Sequence, residues 1–277
     1  LLMSGGVDSA VLALLLDKHV DDLLCITAGT QGSRDIKLAR IFAQKHDLNH
    51  HVIDIDEEMI GDNLAAIMGS TETAAAMQVG AAVNEYFCFK EGVNRGYTDF
   101  FMGTGMDEMF GAVGFYRLDE INPDERYERM WRMYETIVRA RENFAKPDFN
   151  MTRVEALSET FSITVHLPFE RVELPYFVKS LPMDLVYDEE TKQGKYLLRV
   201  YANKVLGVDH DHCFAAKQGT QVGSNIYSIL EKKAVEEQYE LCPDLGSNLI
   251  WNEDPVPALV RYYLKTKYDK RKEDKQS

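Results

Sequence analysis

Apolar positions in the first hundred residues fall into two alternating rhythms. Leu1-Leu2-Met3 is a short apolar run that predicts a strand. Val11, Leu12, Leu15 and Leu16 recur three and four residues apart and predict a helix from Asp8 to His19. The compact run Asp22 to Ala28 predicts a second strand, and Ile36, Ala39, Arg40 and Ala43 mark one side of a helix from Asp35 to His46. His50 to Ile55 reads as a strand, Ala74 to Gly92 as a long helix and Thr98 to Met102 as a further strand. Strand and helix alternating in this way predict a parallel sheet covered by helices. Ligands of such sheets sit beyond the carboxyl ends of the strands.

From Asn122 the rhythm changes. Asp124 to Asn143 is dense in charge and aromatics and predicts a long amphipathic helix. Glu155 to Phe161, Glu173 to Leu181, Tyr196 to Val205 and Ile226 to Tyr239 are also helix-like, and no internal repeat interrupts them. The expected fold class is α/β: a parallel sheet flanked by helices over residues 1–120, with a mainly helical part over 121–277 that completes a cleft.

Composition narrows the function classes. With 277 residues, 45% of them hydrophobic, the chain can bury one sizeable core. Its net charge of −14 argues against nucleic acid as the main partner, because phosphate backbones need a basic surface. Any anion site must therefore draw its positive potential from local groups. The basic stretch Lys265 to Lys275 reads as a solvated chain end. No apolar run approaches the roughly 20 residues that span a bilayer, and no leader-like segment opens the chain; the expectation is a soluble, cytoplasmic protein. Opening at Leu1 in what reads as mid-strand, it looks like a fragment of a longer polypeptide. Cys25, Cys88, Cys213 and Cys242 are widely separated, which argues against structural zinc or a disulfide framework, and Cys25 reads as a buried small hydrophobe.

The chemistry begins at Ser4-Gly5-Gly6-Val7-Asp8-Ser9, between a strand and an amphipathic helix. Two glycines allow a tight turn and a close approach of backbone to ligand. Successive N–H groups and the helix N-terminus make such a turn a phosphate cradle, to which Ser4 and Ser9 add hydroxyls. Asp8 beside phosphate makes sense if it holds a cation, and Mg²⁺ bridging phosphate oxygens supplies one. This is not the Walker loop, which needs Gly-Lys-Ser/Thr. It resembles the S-G-G-x-D-S loop of the N-type ATP pyrophosphatases, which cleave ATP between its α and β phosphates. That loop also fits synthetases of NAD, GMP and argininosuccinate, and tRNA-thiolating enzymes.

Later motifs choose among them. Ser33-Arg34-Asp35, Ala39-Arg40 and His50-His51-Val52-Ile53 are followed by Gly103-Thr104-Gly105-Met106-Asp107-Glu108-Met109-Phe110-Gly111. Leu167-Pro168-Phe169, Glu173-Leu174, Ser180-Leu181-Pro182, Gly194-Lys195-Tyr196-Leu197-Leu198-Arg199 and Lys217-Gln218-Gly219-Thr220-Gln221-Val222-Gly223-Ser224 come next, in order. The whole series, to about residue 225, resembles the synthetase domain of the asparagine synthetase family, and its last segment also resembles β-lactam synthetase. The resemblance implies an adenine nucleotide α-hydrolase-like fold, with ATP and Mg²⁺ as cofactors. It places ATP on Ser4, Gly5, Gly6, Asp8, Ser9, Gly103 and Gly105, metal on Asp8 and Asp107, and charge stabilisation of the acyl-adenylate on Lys217.

Its departures lie on the nucleophile side. Thr104 stands where the family carries Glu or Tyr, and Asn150 where asparagine synthetases place an acid, three residues before Arg153, which matches a family arginine. Thr104 thus takes a catalytic position, yet neither a hydroxyl nor an amide is a general base near neutral pH. Glu155, Glu159 and His166, the last replacing the family's arginine before Pro-Phe, are the alternatives for that base. The implied reaction is adenylation of a small carboxylate and amide formation with ammonia or an amine, releasing AMP and pyrophosphate. The nitrogen comes from solution, a glutaminase subunit or a glutaminase domain, and homo-oligomers are possible. A synthetase making an amide or ring on another metabolite or peptide is one alternative; a non-catalytic ATP-binding regulatory subunit is another.

Overall fold

A computed structural model describes residues 1–71, 76–110, 149–170, 173–216 and 218–236, together with 122, 125 and 128. Strand β1 (Cys25–Gly29) pairs in parallel with β2 (His50–Asp54), and β3 (Asp99–Phe101) pairs in parallel with β4 (Thr164–His166). Leu1-Leu2-Met3 joins the two pairs. Met3 N–H donates to the Ile26 carbonyl at 2.8 Å, and Leu2 N–H donates to the Phe101 carbonyl at 3.0 Å. The segment makes a single parallel bridge, between Leu2 and Ile26, and so is less regular than the strand expected there.

Both faces of this sheet are buried. Ile26, Ala28, Phe100 and Met102 pack into one apolar cluster, while Leu1, Met3, Cys25 and Phe101 pack into or against another. Neighbouring residues point to opposite faces of a strand, so continuous apolar runs are what a sheet covered on both sides requires. Helices α1 (Val7–Leu16) and α2 (Arg34–Lys45) pack on the second cluster's side. The first is covered by α3 (Glu57–Thr71), α4 (Ala76–Asn94) and α6 (Phe149–Phe161), α5 being the short turn Met106–Met109. Ile60, Leu64, Ile67 and Met68 give α3 a helical stripe that the sequence reading passed over. Helix α4 runs past its expected end at Gly92, where a side chain would meet the ring of Phe100 at 2.4 Å.

The rest of the described chain is mainly helical, with α7 (Glu173–Lys179), α8 (Tyr196–Lys204) and α9 (Ile226–Glu236) close to expectation, and a short antiparallel pair sets Tyr187–Asp188 beside Gln193–Gly194. Strand β4 adds a parallel strand from beyond residue 120, which the sequence reading did not foresee. The helix expected over 124–143 lies outside the described residues. Among those described, no helix is long and apolar enough to cross a membrane.

One pairing within the sheet carries a pH prediction. Thr27 Oγ1 donates to the Met3 carbonyl at 2.6 Å, so its oxygen accepts from His50 Nε2, 2.8 Å away. His50 is thereby a neutral Nε2–H tautomer. Burial, with Arg40 and His51 nearby, pushes its pKa down from 6.5 to about 4. Between those values the unfolded chain binds a proton that folded His50 refuses, so stability contributed above pH 6.5 is lost as pH falls toward 4. Burial lowers His46 and His212 in the same direction. We expect the urea midpoint to fall from pH 7 to pH 4.5, and to fall less in His50→Gln. An equal fall in both proteins would remove His50 as a source.

Candidate active site

The Ser4–Ser9 loop leaves Leu1–Met3 and enters α1, with Gly6 as the residue before its first turn. Its two glycines serve different ends. Gly5 has φ 75°, and a Cβ there would lie 2.9 Å from the Asp35 carbonyl and from Leu38 Cβ, so both its backbone angle and the packing of α2 exclude a side chain. Gly6 has only Ser4 Oγ near it, at 3.6 Å, and its face of the turn is open. Ser9 is buried and donates its hydroxyl to the Gly6 carbonyl at 3.0 Å, which braces the turn from inside.

The second glycine loop follows β3 and lies directly against the first. A Cβ on Gly103 would stand 3.3 Å from Asp8 Cβ and the Ser9 nitrogen. Gly105, at φ 105°, opens α5 with the Glu170 side chain lying over it. Thr104, between them, is half-buried. This closeness brings Asp107 to Asp8.

Lys195 joins the two carboxylates. Its Nζ lies 2.5 Å from Asp8 Oδ2 and 2.5 Å from Asp107 Oδ1, and its side chain is 1% exposed. Lys195 holds a left-handed backbone, φ 61°, at the entry to α8. For a residue with a Cβ this costs of the order of 1 kcal/mol or more and persists only where surrounding contacts enforce it. The two buried ion pairs are such contacts. One turn later, buried Arg199 donates from Nε to the Gly194 carbonyl at 2.9 Å. Burial lowers its pKa from the usual guanidinium value, and Asp8 and Asp107 act against that shift.

Asp8, Lys195 and Arg199 line one pocket together with Ser4, Gly5, Gly6, Arg34, Asp35 and His212. Local N–H groups and the side chains of Arg34, Lys195, Arg199 and His212 thus flank the loop of a strongly acidic chain, an arrangement suited to phosphate. A divalent cation fits the chemistry of Asp8 and Asp107: both are hard oxygen donors that already converge on one positive group. Among the described residues no group of three or more His, Cys, Asp or Glu side chains accompanies them. Magnesium held by Asp8 and Asp107 would therefore draw its other ligands from phosphate and water, its usual manner of binding.

Other residues singled out from sequence fare differently. Lys217 lies outside the described residues. Arg153, which matches a family arginine, forms a forked pair with Glu85 at 2.7 Å on both arms, with both side chains buried between α4 and α6. His166 Nε2 is 2.9 Å from Asp99 Oδ1 at the beginning of β3, and its ring stacks on Phe101 at 4.7 Å, so it points away from the glycine loops. Glu155 and Glu159 are exposed on α6. Lys195, Arg199 and Arg34 were present in the quoted motifs without a role. The local clue was a lysine just before an amphipathic helix with an arginine four residues on, one turn along the same face.

A model of the family described as asparagine synthase matches residues 1–152, more than half of the chain. No curated protein sequence matches it.

Proposed function

Because this chain belongs to the asparagine synthase family, we propose that it adenylates a small carboxylate with ATP and transfers the acyl group to ammonia or an amine, in the manner of asparagine synthetase. Family membership supports the coarse activity, ATP-dependent amide formation. The observation that carries the finer reading is the convergence of Asp8 and Asp107, from the ends of two strand–loop units, on one cation beside an open glycine turn.

In the first step a carboxylate oxygen attacks the α-phosphorus of ATP. The bond from that phosphorus to the α–β bridging oxygen breaks, and its electron pair leaves with pyrophosphate. The open face at Gly6 and the N–H groups of the turn bind the departing phosphates. Lys195 and Arg199 sit where their charge offsets what accumulates there. Magnesium held by Asp8 and Asp107 would neutralise phosphate charge when bound. In the second step the nitrogen attacks the acyl carbon, the bond to the adenylate oxygen breaks, AMP leaves and the nitrogen loses a proton. We assign Lys217 to the acyl-adenylate and Thr104 to the nitrogen's approach.

A second reading, amide or ring formation on another metabolite or peptide, is favoured by the absence of an acid at both Thr104 and Asn150. Product analysis tests both. We expect AMP and pyrophosphate in equal amounts from any productive carboxylate. Stoichiometric ADP would sink the adenylation reading, and rapid asparagine formation from aspartate and ammonium would dismiss the second.

A further inference from the structure

Four consecutive carbonyls, those of Cys213, Phe214, Ala215 and Ala216, are each held by a side chain from another element. Arg199 Nη1 donates to Cys213 and, at 3.4 Å, to Ala215. Gln193 Nε2 donates to Phe214 at 3.0 Å. Arg34 Nη2 donates to Ala216 at 2.6 Å, and its Nη1 donates to Gln218 Oε1 at 3.4 Å. The helical turn His210–Cys213 ends here, so these carbonyls lack the partners a continuing helix would supply.

The donors divide by origin. Gln193 and Arg199 flank the start of α8 and fix the beginning of the segment. Arg34 comes from the sheet side, 182 and 184 residues away in sequence, and its two arms reach the residues on either side of 217. Arg34 is also the first residue of α2, where the positive end of the helix dipole disfavours a cation. Local helix formation thus gives no reason for arginine there, whereas a planar fork with two diverging N–H groups suits two acceptors two residues apart.

We propose that Arg34 is a positioning residue: it holds Ala216 and Gln218, the residues on either side of Lys217, against the nucleotide loop, and turnover depends on that hold. The catalytic part of this rests on the adenylation reading above. Because Arg34 lines the phosphate pocket, the competing role is that of a phosphate ligand. The variants Arg34→Ala and Arg34→Lys separate the two, since lysine keeps a charge beside phosphate but cannot bridge both acceptors.

The first measurement needs no turnover: hydrogen exchange of peptides covering residues 213–218 in the nucleotide-free chain. Both variants are expected to exchange about fivefold faster there, the factor that one net hydrogen bond gives. The second is carboxylate-dependent AMP formation, screened over aspartate and other small carboxylates, with calorimetry of Mg²⁺–ATP binding. Turnover should fall roughly ten- to hundredfold in both variants, the scale for a misplaced catalytic group, with ATP affinity within about twofold of the parent. Unchanged exchange over 213–218 would overturn the proposal. So would ATP affinity lost in Arg34→Ala and kept in Arg34→Lys, which would make Arg34 a phosphate ligand. If no carboxylate supports AMP formation in the parent protein, the adenylation reading fails, and hydrogen exchange still decides whether Arg34 holds the segment.

Discussion

Replacing Lys195 with methionine is expected to destabilise the folded chain by about 3–5 kcal/mol at neutral pH, the usual scale for removing one partner of a buried ion pair. The ammonium lies between Asp8 and Asp107 and is almost wholly enclosed. Without it both carboxylates lose the ammonium on which they converge. Urea denaturation measures the loss. Millimolar Mg²⁺ should restore part of it in Lys195→Met, since a divalent ion can take the place between the carboxylates. If that variant does not fold, Lys195→Met with Asp107→Asn removes the like-charge opposition and is expected to recover most of the stability. A Lys195→Met protein as stable as the parent would mean that the buried pairs contribute nothing net.

The largest rate effect is expected at Lys217. On the proposed mechanism its charge meets the negative charge of the acyl-adenylate region and its transition state. Lys217→Met should then lower turnover by about 10²–10³-fold, the scale for losing one electrostatic stabiliser, with little change in apparent ATP affinity. Pre-steady-state measurement of AMP formation, beside calorimetry of Mg²⁺–ATP, separates a slowed chemical step from weakened binding. Undiminished turnover would make Lys217 an ordinary surface lysine.

These two lysines differ in what the local sequence says of them. Lys217 was assigned from a motif. Lys195 stood in an equally well matched motif, Gly194 to Arg199, and received no role, because nothing local says what a lysine before an amphipathic helix touches. Its partners lie 187 residues back, at Asp8, and 88 residues back, at Asp107. Similarly, Arg153 matches a family arginine, and only its packing against α4 reveals Glu85 as its partner. His166 is a candidate base by residue type; its distance from Asp99 and its stacking on Phe101 tie it to the strands instead.

What the sequence determined by itself is what local chemistry governs. Compact apolar runs and period-3.6 apolar patterns mark most strands and helices of the first hundred residues to within a few positions, because each element must bury one face or both. The Ser4–Ser9 loop is equally local: tight turns, positive φ and adjacent N–H groups are properties of glycines next to one another. The tertiary structure decided the rest. It set β4 beside β3, brought Asp8 and Asp107 onto Lys195, locked Arg153 to Glu85, and laid Arg34 across the segment around residue 217. Each of these joins residues distant in sequence, and their pairing is fixed by how helices and strands pack, which no local pattern of residues encodes.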